Sequence, residues 1–300
     1  MLKCIDCQNT LSKTDTGFFC DRCKRKYPLI DGVFCFSDNE YNESDFFPED
    51  AFDRLYRSEN ANFWFRVRNL AIGNLIKHYL SRGSKIIEVG CGTGFVSLYF
   101  KKLGYDIDCA DSSIQGLSYC KKRDAGNSYY QSNLYDALFY EHYDGVCAFD
   151  VIEHIKDDQL VLQNMNRALK VGGFIFITVP ANKKLWSEID EFARHKRRYN
   201  LAELKGKIEG AGFRIMRISY FMTFLFPFIY LSRLRFLETP GGVSKDEMEI
   251  SSKKASSELN LNPILNTIFF YIFRFESYLL NHINFPFGSS LLCVAQKRND

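Results

Sequence analysis

The segment IIEVGCGTGF (86–95) places three glycines directly after an apolar run. The run KIIEVG (85–90) has the length and the β-branched content of a buried strand, and Gly90, Gly92 and Gly94 end it and follow it. In an open parallel sheet, ligands collect beyond the carboxyl ends of the strands. The third glycine arrives one residue earlier than in GxGxxG, and the loop lacks the Lys-Ser/Thr pair of a phosphate-binding loop. The sequence therefore predicts a site for a ligand without phosphate.

Strand patterns and helix patterns alternate after this loop. Strands are predicted over 105–111, 128–133, 144–150 and 174–180, and helices over 94–103, 113–123 and about 158–170. This alternation predicts an α/β fold with a doubly wound, Rossmann-like parallel sheet. One or two helices are expected earlier, over 51–80, and two last strands are expected over 213–220 and 289–296.

Composition divides the chain and bounds its class. The chain has 300 residues, 46% of them hydrophobic, and a net charge of only +3. The net charge alone therefore does not point to a nucleic-acid partner. Residues 37–53 hold seven acids and no Lys or Arg, which predicts a linker between a small head (1–36) and a larger domain (54–300). The first residues lack the features of a signal peptide, so a cytoplasmic location is expected, with cysteines as thiols or metal ligands.

The string EVGCGTG resembles the first motif of class I S-adenosylmethionine-dependent methyltransferases of types 11 and 12. The order of elements from Ala51 onward is also similar to that family. The resemblance implies S-adenosylmethionine as cofactor, Glu88 in an ordering role beneath the loop, and Asp111 as acceptor of both ribose hydroxyls. It implies a cofactor-binding role for further residues: Gly90, Cys91, Gly92, Gly94, Ser112, Asn133, Leu134, Asp150 and Val151.

Two of these cofactor residues carry alternatives. Asn133 stands where the family usually has an acid that meets the adenine amino group, and an amide oxygen can accept the same hydrogen bond. Asp150 could instead be an ordinary helix cap.

Two histidines are candidate general bases. His154 lies in FDVIEHI (149–155), which many small-molecule methyltransferases share, and the alternative is a histidine that orients the loop. His195 lies in EIDEFARHKRRYN (188–200), which resembles the loop after the fifth strand in the same subfamily. The cations around it could grip an anionic acceptor, and we predict acceptor binding by Arg197, Arg198 and Tyr199. The alternative is a solvated loop whose cations pair with its own acids.

Four cysteines form a second motif. Cys4-x2-Cys7 and Cys20-x2-Cys23, with twelve residues between the pairs, predict a tetrahedral structural zinc site, and the alternatives are adventitious iron or a redox dithiol. The head, which ends in YPLIDGVFCF (27–36), resembles zinc ribbons that precede several methyltransferases, including some that act on ribosomal RNA. In that interpretation Arg22, Lys24, Arg25 and Lys26 would contact phosphates; in the alternative the ribbon only docks on the catalytic domain.

A long insertion, at about 221–288, precedes the last strand. Two runs of fifteen residues, 218–232 and 259–273, carry no charge but are too short to span a bilayer. They could cap an apolar pocket, rest in a membrane interface, or form a plain helical hairpin packed on the core.

Together these features predict a methyltransferase, most simply an O-methyltransferase, whose acceptor is partly apolar and anionic: a small molecule, a lipid-linked compound or a saccharide. The alternatives are a ribosomal-RNA methyltransferase guided by the ribbon and an inactive methyltransferase-like scaffold. The insertion adds the expectation of peripheral contact with the inner face of the membrane. The sequence leaves the acceptor, the methylated atom and the oligomeric state open.

Overall fold

The computed structural model describes residues 1–37, 49–234 and 261–298. In these ranges the strands are β1 (Ser12–Thr14), β2 (Gly17–Phe19), β3 (Lys26–Ile30), β4 (Val33–Cys35), β5 (Lys85–Val89), β6 (Asp106–Asp111), β7 (Tyr129–Gln131), β8 (Tyr143–Phe149), β9 (Leu169–Pro180), β10 (Phe213–Phe221) and β11 (Ser290–Lys297). They form one sheet in the order β1-β2-β3-β4-β7-β6-β5-β8-β9-β11-β10. The predicted α/β class is confirmed.

The centre of the sheet is parallel, and the strand order reverses at β5. Strand β5 pairs in parallel with β6 on one side and with β8 on the other. In a doubly wound sheet this reversal opens a crevice beyond the carboxyl ends of the strands. The loop after Val89 lies at that crevice, as the glycine pattern predicts.

Helices cover both faces of the sheet. Their bounds are α1 (Glu49–Ser58), α2 (Phe63–Ile76), α3 (Phe95–Leu103), α4 (Ile114–Lys122), α5 (Asp158–Ala168), α6 (Glu188–Phe192), α7 (Leu201–Gly210), α8 (Phe226–Leu234) and α9 (Pro263–Leu279). Alternate residues of β5 point to opposite faces: Ile86 joins the core cluster that contains Val67 of α2, and Ile87 joins the cluster that contains Leu162 of α5. Both faces of the strand are therefore buried, which explains its continuous apolar sequence.

The insertion lies between two antiparallel strands, as expected. Strand β11 pairs with both β9 and β10 in antiparallel fashion. Helix α9 packs on α2, where the Phe63 ring lies 5.2 Å from the Phe269 ring and 5.6 Å from the Phe273 ring. Residues 235–260 of the insertion lie outside the described ranges. Among the described helices, none combines the length and the hydropathy needed to cross a membrane.

The N-terminal head is continuous with the sheet. Strand β4 pairs in parallel with β7, with Phe34 opposite Tyr130. The backbone N–H of Phe36 donates to the Gln131 carbonyl at 2.8 Å, so the head docks on the catalytic domain through main-chain hydrogen bonds. Helix α1 begins at Glu49, so residues 49–53 of the predicted linker are helical, while residues 38–48 lie outside the described ranges.

Candidate functional site

A cavity of about 920 Å³ opens at the crevice beyond β5, within the usual size range of ligand sites. One part of its wall, called here the cofactor end, comes from the loops after β5, β6 and β7. The other part, called the acceptor end, comes from the segment after β8, the loop around His195, and helices α8 and α9. Every residue predicted to bind the cofactor lines this cavity except Gly94, which the cavity wall does not include.

The glycine loop has a backbone that side chains would block. Gly90 and Gly94 have φ values of +69° and +74°, in the left-handed region that favours glycine. A β-carbon on Gly90 would lie 2.5 Å from Val151, and one on Gly94 would lie 2.5 Å from the Cys120 sulfur. The third glycine therefore lets α3 start close against α4.

Asp111 organises the neighbouring wall. Its Oδ2 accepts the N–H of Gly92 at 2.8 Å and its Oδ1 accepts the N–H of Ser113 at 2.9 Å. A carboxylate offers about four lone-pair sites, so both oxygens can still accept ribose hydroxyls. Burial raises the pKa of Asp111, against the lowering effect of the hydrogen bonds from Ser113 and Gly92.

The wall after β7 carries the predicted adenine-side residues. Asn133 and Leu134 line the cavity beside Ser112. The Oδ1 of Asn133 accepts the N–H of Tyr135 at 2.9 Å, which holds the amide in place. The carbonyl of Ser112 accepts a 3.4 Å hydrogen bond from Gln131, and the amide of Gln131 donates to the Ser37 hydroxyl at 2.6 Å. The side chain of Gln131 thus connects Ser37, which directly follows the N-terminal head, to the cofactor end of the cavity.

Glu88 lies beneath the loop, as the resemblance implies. It is buried and accepts a hydrogen bond from the hydroxyl of Ser97, the third residue of α3. Burial raises the pKa of Glu88 to about 8. Near neutral pH a large fraction of this carboxyl is therefore protonated.

A buried cluster that the sequence did not reveal ties α1 to the glycine loop. The Thr93 hydroxyl donates to both oxygens of Glu59, at 2.7 and 2.8 Å, and the Arg123 guanidinium lies 2.7 Å from the same carboxylate. The guanidinium also lies over the Tyr56 ring, 4.3 Å from its centroid. These residues are far apart in the sequence, so no local motif predicts the cluster. The only signal in the sequence is the general pattern of an amphipathic helix before β5.

The junction of the two ends is a second, partly buried ion pair. Arg68 of α2 donates to Asp150, which follows β8 and has a φ of +57°. A left-handed conformation is costly for an aspartate, and such strain often occurs at functional sites. The Arg68 guanidinium also lies 4.7 Å from the Trp64 ring centroid, so α2 helps to cover the cavity.

His195 is held by a buried carboxylate. Its Nδ1 donates to Asp190 Oδ1 at 2.8 Å, which leaves Nε2 with a lone pair on the side of Glu153, 3.9 Å from that carboxyl. Asp190 also accepts two hydrogen bonds from Arg198, at 2.7 and 3.0 Å, and the N–H of Ser187 at 2.9 Å. Burial opposes ionisation, but the hydrogen bonds from His195 and Arg198 hold the pKa of Asp190 below its usual value.

Glu153 and His154 complete this cluster. Both oxygens of Glu153 are buried and accept no hydrogen bond from the described residues, and burial raises the pKa of this carboxyl well above its usual value. The His154 and His195 rings stand edge to face with centroids 4.7 Å apart. Burial, then the neighbouring His195, lowers the pKa of His154 to about 3, so His154 is neutral. Donor atoms of the three residues lie within 4.8 Å of one another, close enough to share a proton or a cation.

The three residues predicted to bind the acceptor pair with carboxylates of the protein itself. Arg197 lies 2.8 Å from Asp158, and the Tyr199 hydroxyl donates to the same carboxylate at 2.7 Å; neither residue lines the cavity. Arg198 lines the cavity, but its guanidinium is engaged with Asp190. These three residues therefore hold the loop around His195. The sequence did not show that Asp158 and Asp190 would lie next to them.

The four cysteines of the head come together. All four sulfurs lie within 4.8 Å of one another, with Cys4 to Cys23 at 3.4 Å and Cys7 to Cys20 at 3.5 Å. A tetrahedral zinc with Zn–S bonds of about 2.3 Å requires sulfurs about 3.8 Å apart, so the donor set fits such an ion.

Comparisons with known proteins agree with this geometry. A family model described as a methyltransferase domain matches residues 56–218, more than half of the chain. Ubiquinone biosynthesis O-methyltransferase of Rickettsia akari is 30% identical over 123 residues, which are 39% of this chain and 49% of that protein. The enzyme of the same name from Shewanella sp. (strain ANA-3) is 32% identical over 113 residues, 35% of this chain and 48% of that protein. The chain thus spans about half the length of the curated relatives it matches.

Solved structures share the fold. A chain in the complex between the Haloferax volcanii Trm112 methyltransferase activator and a methyltransferase aligns with a TM-score of 0.53 at 15% identity, over 83% of this chain and 98% of that chain. Phosphoethanolamine N-methyltransferase 2 of Haemonchus contortus, solved with S-adenosyl-L-methionine, aligns with a TM-score of 0.51 at 20% identity, over 84% of this chain and 60% of that chain. With the family match over more than half of its length, the chain belongs to the methyltransferase-domain family.

Proposed function

We propose that this methyltransferase methylates a hydroxyl oxygen of a partly apolar acceptor, and that His195 takes the hydroxyl proton. The observation that carries the proposal is the pairing of His195 with buried Asp190 on the wall of the cavity. An alcohol or phenol is a weak nucleophile until its proton leaves, so a positioned base accelerates its methylation. A neutral amine needs no such base.

In this proposal the cofactor end of the cavity binds the methyl donor, and the acceptor end binds and deprotonates the acceptor. S-adenosylmethionine supplies a methyl group on a sulfonium that is already primed for displacement. Gly92 and Asp111 hold the donor, and the cover made by Glu59, Thr93 and Arg123 holds α1 over the glycine loop. His195 Nε2 would accept the hydroxyl proton as the acceptor oxygen bonds to the methyl carbon, while the bond from that carbon to the sulfonium sulfur breaks and leaves a neutral thioether. Positioning and a closed cavity supply the rest of the acceleration.

The wall of the acceptor end favours an apolar body. Met222, Leu225, Ile229, Leu261 and Phe269 line the cavity there. Of the arginines on the cavity wall, Arg68 and Arg198 pair with Asp150 and Asp190. The relatives in ubiquinone biosynthesis are named as O-methyltransferases, which supports oxygen as the methylated atom.

One labelling experiment tests the acceptor class. The protein is incubated with methyl-labelled S-adenosylmethionine and an extract of its source cells, and the label is separated into lipid, small-molecule, protein and RNA pools. We expect label in the lipid or small-molecule pool as a methyl ether. Label in ribosomal RNA would favour the RNA methyltransferase, and no label in any pool, with the wild type folded, would favour the inactive scaffold.

We also propose that Cys4, Cys7, Cys20 and Cys23 hold a structural zinc ion. The closed Cys4 donor set leaves no coordination position open for a substrate. A head of this size buries too little surface to fold well alone, so the metal would supply part of its stability. Metal analysis should find about one zinc per chain, and a Cys4→Ser, Cys20→Ser variant that keeps full zinc content would contradict the assignment.

A further inference from the structure

Helix α9 exposes an apolar face on the outside of the molecule. We define this outer face by Ile264, Ile268, Tyr271, Phe275 and Tyr278, whose spacing of four and three residues places them in one stripe. Ile264 is 71% exposed and Tyr271 is 62% exposed. A helix on the surface of a water-soluble domain normally turns polar residues outward. The outer face therefore resembles a binding surface rather than an ordinary surface.

The opposite side of α9 is already occupied. Phe273 is buried against α2, and Asn266 accepts the backbone N–H of Phe63 at 2.8 Å and donates to the Ala61 carbonyl at 2.9 Å. These contacts fix the rotation of α9 about its axis. The outer face cannot be turned inward without breaking them.

Neighbouring residues enlarge the apolar area. Leu265 and Ile272 widen the stripe on α9, and α8 adds Phe228, which is 71% exposed, and Leu231. The same two helices supply Ile229 and Phe269 to the wall of the cavity, and Leu225, just before α8, adds to it. The exposed area and the acceptor end are thus two sides of one helical layer.

Charge and hydrogen bonding favour a lipid surface as the occupant. In the described parts of the insertion, 222–231 and 261–288, the single acid is Glu276, which is buried and accepts the N–H groups of Thr223 and Phe224. Arg274 is exposed, so the face carries a cation and no exposed anion. Thr267 donates to its own helix at Pro263. A protein partner would need polar groups to fix its register, whereas a bilayer needs none.

We propose that α8 and the outer face of α9 lie on an anionic membrane surface and bring the mouth of the acceptor end to lipids. Neither described helix is long and apolar enough to cross the bilayer, so the contact is interfacial. The inference deepens the proposed function, because a membrane contact would deliver a lipid-like acceptor. Vesicle binding is measured without methyl transfer, so the two ideas fail separately.

Vesicle flotation tests the inference. The wild type is mixed with vesicles of phosphatidylcholine and phosphatidylglycerol, or of phosphatidylcholine alone, and spun in a density gradient. We expect the wild type to float with the mixed vesicles, and an Ile268→Glu, Phe275→Glu variant to float at least tenfold less. The matched control is Val171→Glu, a side chain 65% exposed at the start of β9, where the strand lies farthest from the cavity. The control should float like the wild type.

The other occupants are outcomes of the same test. Melting temperature and S-adenosylmethionine affinity confirm that the double variant is folded. A wild type that stays at the bottom and is dimeric by light scattering, with a monomeric double variant, would assign the face to a second copy. A wild type that stays at the bottom as a monomer would overturn the inference and leave the face to other residues of this chain.

Discussion

At the cofactor end of the cavity, backbone groups and small residues make the wall, and Asp111 faces it with both oxygens on backbone N–H groups. At the acceptor end, buried charged side chains make the wall, and Asp190 holds His195 and Arg198 at once. A wall made of backbone groups suits a ligand that is always the same, and its shape depends on the local sequence of one loop. A side-chain wall can change its specificity without changing the fold. The two ends should therefore respond to different substitutions.

The largest separation of the two ends should come from His195→Gln. We expect turnover at saturating S-adenosylmethionine to fall by about 10²- to 10⁴-fold, because a general base is lost. Cofactor affinity by calorimetry should stay unchanged. The measurement is transfer of labelled methyl to the acceptor pool, with His154→Gln as the matched control, since neutral His154 makes no hydrogen bond to Asp190. A turnover less than threefold below the wild type in the His195 variant would show that His195 is not the general base.

The converse result should come from Asp111→Ala. Hydrogen bonds to a charged acceptor contribute about 1.5–3 kcal/mol each, so losing both ribose contacts should weaken the affinity for S-adenosylmethionine by about 100-fold or more. Calorimetry measures the loss. Asp144→Ala is the matched control, because Asp144 follows the first residue of β8, at the end of the sheet away from the cavity, and pairs with Lys170. An Asp111 variant with wild-type affinity would show that the ribose binds elsewhere.

A smaller effect should follow from substituting the cysteines of the ribbon. Strand β4 holds β7, and Gln131 links Ser37 to the Ser112 carbonyl, so a disordered ribbon should loosen the cofactor end alone. We expect the Cys4→Ser, Cys20→Ser variant to bind S-adenosylmethionine about tenfold more weakly, a typical coupling between sites. Its melting temperature should also fall. Equal losses at the acceptor end, seen as a lower turnover with saturating cofactor, would contradict a local effect.

The smallest effect concerns pH. Because burial raises the pKa of Glu88 to about 8, the free protein holds a proton there that a bound sulfonium should displace. Cofactor affinity should therefore rise with pH up to about 8, and calorimetry in buffers of different ionisation enthalpy should detect proton release near neutral pH. In the cofactor-free protein the same raised pKa lowers stability as pH rises from about 4.5 to about 8. Glu88→Gln should abolish both trends, and a variant that keeps them would assign them to another group.

The contrast between the two ends also explains what the sequence could predict. The glycine loop and Asp111 depend on residues within one strand-loop-helix unit, so spacing alone located them. Arg68 and Asp150 are 82 residues apart in the sequence, and no local pattern predicts that they form an ion pair. Arg197 and Arg198 are neighbours, yet they face Asp158 and Asp190, because successive residues of an extended loop point in opposite directions.

The ribbon shows the same limit on another scale. Cysteine spacing predicted that four sulfurs would meet, and they do. That β4 would join the edge of the sheet beside β7 depended on an unpaired strand edge far along the chain, which the sequence does not mark. Pairing across about a hundred residues is a property of the assembled sheet.

The most direct test of the account is a crystal structure of the protein with S-adenosylmethionine at millimolar concentration. The account predicts that the ribose hydroxyls will bind the Asp111 carboxylate beside Gly92, with the methyl group directed towards His195. A cofactor bound away from Asp111, or a methyl group directed away from the acceptor end, would contradict it.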